Sequence, residues 1–267
     1  MILDDTLKIL KNRYSKQLEN LIIKNVVVGI HLTAVKLSDN SFGVASTVDD
    51  TEVFCLKKDR DYGDFTPSKI KGKKVIDLLE SSKQSNIINT LKIAVINAIS
   101  SKILSNSNYK ILQNTDPVDL LNLDGGKTVT IVGAFQSYIN KIAATNNKLH
   151  VLELNENALV EGQKQYYVPA IEFKRIIPKS NIVIITGLTL VNNTIDGLLE
   201  VISPETEVIV TGPSSSLIPD ILFENKIKYI GAVQLTDCDK LFEVVSEGGK
   251  GYHLFKYCAQ KICIVNE

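Results

Sequence analysis

The 267-residue sequence has no CxxC pair, and its four cysteines, Cys55, Cys238, Cys258 and Cys263, are scattered along the chain. That excludes a disulfide framework and a structural zinc site of the common spacing, and makes reduced, mostly buried thiols the expectation. Net charge is also missing. Thirty basic and thirty acidic side chains cancel, and the basic run Lys57, Lys58, Arg60 is followed at once by Asp61 and Asp64. No global field exists to hold a polyanion, so nucleic acid is not an expected partner. No stretch approaches the roughly 20 unbroken apolar residues of a membrane helix. The charged opening MILDDTLKILKNRYSKQ lacks the basic-then-apolar order of a signal peptide, so the cytoplasm is the expected location and no membrane is involved. Tryptophan is absent, which carries no chemical message. The three histidines, His31, His150 and His253, fall in separate elements, giving a preformed multi-histidine metal site little support. There is no GxSxG elbow, and no serine or cysteine has a histidine beside it in sequence.

What is present is an ordinary globular composition, 44% hydrophobic and 22% charged. The length suits one large domain or two modest ones, and two are expected. Leu3, Leu7, Leu10, Tyr14, Leu18 and Leu21 recur at steps of three and four, the stripe of an amphipathic helix. Short β-branched runs at 25–36, 42–47 and 52–56 predict an antiparallel meander, followed by a charged surface excursion over 57–74 and helical spacing at 75–79 and 87–104. The first half therefore reads as α+β. From 105 to 126 the composition turns to Asn, Ser, Asp and Gly, and the boundary falls there, dividing the chain into 1–110 and 111–267.

Beyond it, apolar runs at 128–132, 149–154, 182–186, 207–211, 228–233 and 262–265 alternate with segments mostly long enough for helices. Strands apolar on both faces that alternate with helices predict a Rossmann-like α/β fold, a parallel sheet covered on both sides. Ligands in such sheets bind beyond the carboxyl ends of the strands, where the strand order reverses. The first strand end carries Gly133 and Phe135, with only the first glycine of GxGxxG, so a standard NAD grip is not expected. Glu153 ends the second run, 20 residues after Gly133, and is read either as a ribose-binding acid or as a solvated strand end. The third strand end offers Thr186, Gly187, Thr189, Asn192 and Thr194, with Asn193 or Thr194 capping the next helix. The fourth offers Gly212, Pro213, Ser214 and Ser215 as backbone and hydroxyl donors, or simply as caps. Asp237 lies after the fifth run, as a helix cap or an opposing ligand group.

The run TGPSSSLIPDILF at 211–223, followed by Ile230-Gly231-Ala232-Val233, Asp237 and Glu247-Gly248-Gly249-Lys250-Gly251-Tyr252, resembles a prokaryotic family labelled "putative heavy-metal chelation". Val28-Gly29-Ile30, Ala94 to Ala98 and Leu190 to Thr194 agree with it, so the resemblance runs nearly the whole length. It implies a smaller α+β domain like the N-terminal domain of enolase followed by a Rossmann-like domain. It also implies a metal, or a metal-binding organic cofactor, held between them. Asn97, in the matching Ile-Asn-Ala piece, is the candidate polar group of the first domain, with a buried asparagine satisfied by backbone as the other reading.

Three functions follow as expectations. The first is binding of a small anionic organic ligand or metal chelate in the crevice between the domains. The second is an enzyme using an adenosine-containing or pterin-like cofactor, with Glu153 at the ribose. The third is direct binding of a metal ion by side chains brought together on folding. A small molecule is the expected partner in each, and a homodimer is left open.

Overall fold

The structure, a computed structural model, describes residues 1–48, 62–83 and 85–267. The expected strand at 52–56, Cys55 and the basic run at 57–60 lie outside the described residues. The N-terminal part contains helix α1 (Ile2–Leu18), strands β1 (Ile23–Val28), β2 (Leu32–Leu37) and β3 (Phe42–Ser46), and helices α2 (Val75–Leu79) and α3 (Asn86–Leu104). The three strands pair antiparallel in the order β1-β2-β3. The run expected as one strand at 25–36 is two, because the chain turns at Gly29 to Ile30.

Ser85 starts α3 by accepting from Ile88 N, and the helix then buries residues on all sides, from Leu91 and Ala94 to Asn97 and Ser100. By length and composition α3 could cross a membrane, yet 67% of its apolar window is buried inside the protein. It packs on β3 at van der Waals limit. A Cβ on Gly43 would lie 2.0 Å from Ala94 O, so only glycine permits this approach.

The C-terminal part runs β4 (Lys110–Gln113), β5 (Thr128–Val132), α4 (Gln136–Ala143), β6 (Lys148–Glu153), β7 (Tyr167–Pro169), α5 (Phe173–Ile176), β8 (Ile182–Thr186), α6 (Leu188–Val191) and α7 (Ile195–Leu199). It continues with β9 (Glu207–Thr211), α8 (Asp220–Glu224), β10 (Ile227–Leu235), α9 (Cys238–Ser246), α10 (Gly251–Tyr257) and β11 (Ala259–Val265). The eight strands form one sheet in the order β4-β11-β10-β9-β8-β5-β6-β7. From β7 to β10 every neighbouring pair is parallel, and β11 runs antiparallel to both β10 and β4. The six parallel strands thus have the Rossmann order 3-2-1-4-5-6, and the order reverses between β5 and β8.

Alternation along β8 shows how both faces are filled. Val183 and Ile185 join a cluster with Ile96, Ile99, Leu190 and Leu222. Ile182 and Ile184 join one with Val118, Tyr138, Ile139 and Ile142 on the opposite face. A third cluster sets α9 and α10 against the N-terminal sheet, with Leu241, Val245 and Leu254 on Leu32, Ala34 and Val44. The three-stranded sheet is therefore covered by α3 on one face and by these two helices on the other.

Candidate functional site

The crevice expected beyond the reversal point is built first by the end of β5. Gly133 follows Val132 with φ +105, a conformation that side chains rarely adopt. A Cβ there would lie 3.1 Å from Thr186 Cγ2, so the glycine also lets the ends of β5 and β8 close on each other. Two and five residues beyond Gly133 stand Phe135 and Tyr138, at the positions of the second and third glycines of GxGxxG. Their rings stack with centroids 5.3 Å apart. In the dinucleotide fold the second glycine admits a pyrophosphate to the backbone and the third lets helix and strand pack closely. With aromatic side chains at both, a dinucleotide does not fit these residues.

Behind this stack, Tyr138 OH donates to Asp116 Oδ1, and Asp116 Oδ2 accepts from Lys261 Nζ at 2.6 Å. Burial first, then the Asp116 charge, push the Tyr138 phenol well above its ordinary value. Phe135 is the N-cap residue of α4 and supplies no side-chain acceptor, so the first turn of this helix faces the crevice uncapped.

At the end of β8, Gly187 N donates to Thr211 O at 2.7 Å and Leu188 N donates to Thr186 Oγ1 at 3.3 Å. The Thr189 hydroxyl donates back to Thr186 O at 2.6 Å and is buried. At the end of β9, Gly212 and Pro213 are half-buried, while Ser214 and Ser215 are fully buried. Ser214 Oγ accepts from Ser46 N at 2.9 Å, and the Ser215 hydroxyl donates to the carbonyls of Gly212 and Gly231 at 2.7 and 2.6 Å. Asn97 Nδ2 donates to Val44 O and Pro213 O, and Ser100 Oγ accepts from Ile218 N at 3.0 Å. The serines expected as ligand donors have their hydroxyls committed inside the protein, because β3 and α3 pack directly on this loop. Asn97 is buried for the same reason, with its amide nitrogen bonded to backbone across the seam and its Oδ1 without a partner among the described residues.

Asn192, Thr194 and Asp237 lie apart, while Glu153 adjoins Leu152, whose carbonyl accepts from Gly133 N at 2.9 Å. Asn192 Oδ1 accepts from the amide and hydroxyl of Thr194, beyond the far end of α6, and Thr194 occupies the N-cap position of α7 without capping it. Asp237 caps α9 by accepting from Lys240 N at 2.9 Å. Three strand spacings separate its strand from β5, roughly 14 Å, so it does not oppose the Gly133 loop. Glu153 ends β6, the second strand of the Rossmann order, and its Oε1 accepts from Leu154 N at 2.7 Å.

One contact was not read from the sequence. A Cβ on Gly251 would lie 3.8 Å from Pro213 Cγ, which brings the start of α10 beside the loop after β9. Lys250 N donates to His253 Nδ1 at 3.0 Å. The signal for it was the glycine-rich turn Gly248-Gly249-Lys250-Gly251, whose position depends on tertiary packing. Among the described residues, no group of three or more His, Cys, Asp or Glu side chains is placed to hold a metal ion.

Comparison with known proteins agrees with this architecture. The solved structure of a protein of unknown function from the DUF364 family of Pyrococcus horikoshii superposes with a TM-score of 0.79 at 20% identity, covering 99% of this chain and 100% of that one. Another from Desulfitobacterium hafniense gives 0.72 at 18% identity, with 98% of each chain covered. At these identities the likeness shows the fold. An uncharacterised protein of Methanocaldococcus jannaschii is 27% identical over 122 residues, 45% of this chain, and the match spans 46% of that protein's length. Two family models, each described as "Putative heavy-metal chelation", match residues 116–264 (DUF364) and 11–100 (DUF4213). The chain belongs to the family that this description names.

Proposed function

We propose that this protein binds a small anionic organic molecule, or a metal carried as an organic chelate, in the crevice beyond β5 and β8. The observation that carries the reading is the uncapped start of α4 at the point where the strand order reverses. Of the two helices of eight residues or more that directly follow a parallel strand among the described residues, α9 has its first turn capped by Asp237 and α4 has no such cap. Unpaired N–H groups and the positive end of the helix dipole favour an anion there. The Phe135 ring, stacked on Tyr138, offers an apolar face beside it. A chelated metal reconciles the family description with the absence of a ligand cluster among the described residues.

Native mass spectrometry with elemental analysis, on protein purified without chelators or affinity metal, tests this. A co-purifying anionic molecule or metal complex, lost in a Phe135→Ala variant that still folds, supports the reading. An apo mass in several preparations, with no shift of the melting temperature by metals, organic anions or nucleotides, overturns it.

A second reading rests on Glu153, whose place at the end of the second Rossmann strand is that of a ribose-binding acid. It makes the ligand adenosine-containing and the protein an enzyme. Under this reading Glu153→Ala weakens adenosine binding by about 1–3 kcal/mol, and an unchanged affinity in calorimetry removes it.

A further inference from the structure

β2 runs away from the crevice, and at its far end a cavity of about 800 Å³ opens between α1, α3 and the segment leading to β4. The size lies within the range of small-molecule sites. Its walls are largely apolar, from Leu18, Leu21, Ile99 and Ile103, with Tyr14 of α1 and Tyr109 of the segment before β4 also lining it. The rim carries the amides of Gln17, Asn106 and Asn108 and one ion pair, Lys102 Nζ to Asp39 Oδ2 at 3.0 Å.

Two further observations mark this as a built cavity. α1 leaves helical geometry at Tyr14, with φ −132 and ψ 23, and the residue there is neither proline nor glycine. Departures of this kind without such a residue occur where something other than the helix itself sets the backbone. A single carboxylate then clips both walls from outside: Asp220 of α8 accepts from Arg13 Nη1 and from Tyr109 OH, each at 2.6 Å. Arg13 adjoins Tyr14, so α1 and the segment before β4 are tied together beside the cavity without help from a ligand, which lowers the entropic cost of binding.

The rim charges cancel, and the remaining polar groups are neutral: three amides, the Ser107 hydroxyl and the two phenols. We infer that this cavity is a second binding site, for an uncharged, flat aromatic or heteroaromatic molecule with a hydrogen-bonding edge. The body of such a molecule lies against Tyr14, Tyr109 and the aliphatic floor, and its edge meets the rim amides. This ligand differs in charge from that of the crevice, and the two sites stand or fall separately.

The test is a fluorescence titration of the full chain with N-phenyl-1-naphthylamine, a neutral aromatic amine that emits strongly in apolar surroundings. The chain contains no tryptophan, so Ile103→Trp fills the cavity and adds a local reporter. Gln17→Trp covers the mouth from an exposed position and serves where the first variant folds poorly. The expected result is saturable binding of one dye per chain, weakened by about tenfold or more in either variant, with circular dichroism unchanged. The inference is overturned by no saturable signal, by affinity unchanged in both variants, or by loss of the dye in Phe135→Ala instead, which would place it in the crevice.

Discussion

The Asn97 side chain donates to the carbonyl of Pro213 across the seam, 3.2 Å away, while the same amide nitrogen donates to Val44 O at 2.9 Å. One buried group of α3 thereby joins β3 to the loop after β9. Asn97→Ala removes both bonds and leaves a small void, so it should lower unfolding stability by about 2–3 kcal/mol in urea titrations. Asn97→Asp should cost more, because it sets a buried carboxylate against two carbonyl oxygens. A loss below about 0.5 kcal/mol for either variant, within the range of ordinary surface substitutions, would mean that the seam is held elsewhere.

Gly133 combines a positive φ with a Cβ position 3.1 Å from Thr186 Cγ2. Gly133→Ala therefore imposes backbone strain and displaces the end of β8, at a cost of about 1–3 kcal/mol. Glycine positions that are open to solvent, such as Gly162, provide the control. Gly162→Ala should change the melting temperature little, and equal losses at both positions would refute the argument.

The parts of the fold that could be read from the sequence are those in which local chemistry and tertiary role coincide. β5, β8 and β9 are buried on both faces, so their β-branched runs announce a covered parallel sheet. β4 and β7 were missed because they are short edge strands, the first four residues long and half-exposed and the second three residues long and closed by Pro169. The site divides in the same way. Gly133 and the Asp237 cap are local features and were legible. Ser214 and Ser215 looked like free donors because the residues that bury them, Ser46 and Gly231, lie far away or on another strand. Phe135 and Tyr138 gain their meaning from the fingerprint positions they fill.

Cysteine reactivity should follow burial. Cys238 is half-buried and lines a groove of about 540 Å³ between the two parts of the molecule, whereas Cys258 and Cys263 are buried. Burial first, then the charges of Asp237 and Cys238, push the Cys258 thiol up to about 11. Burial first, then Asp116, push Cys263 to about 12. The thiolate is the reacting form, so in a Cys55→Ser background iodoacetamide at pH 8 should label Cys238 first, and the other two only on unfolding. Labelling of Cys258 as fast as Cys238, read by peptide mass spectrometry, would contradict the packing of α9 and α10 on the first sheet.

His150 pairs with Thr130 in the parallel ladder of β5 and β6, and its imidazole is held below the ordinary histidine value by burial first, then by Lys148 and Arg175. The folded protein therefore loses the His150 proton at lower pH than the unfolded chain does. Between the two values the unfolded state binds more protons, and stability rises with pH. The contribution is complete above about pH 6.5, the unfolded value, and disappears as the pH falls through the folded value. Wild-type protein should accordingly lose stability between pH 7 and 5, and His150→Gln should lose less over the same interval. The His150 ring resonance should titrate with a midpoint below about 6.5. A midpoint at or above that value, or an identical pH profile for the variant, would show that the ring is solvated and that β6 is less tightly covered than its neighbours suggest.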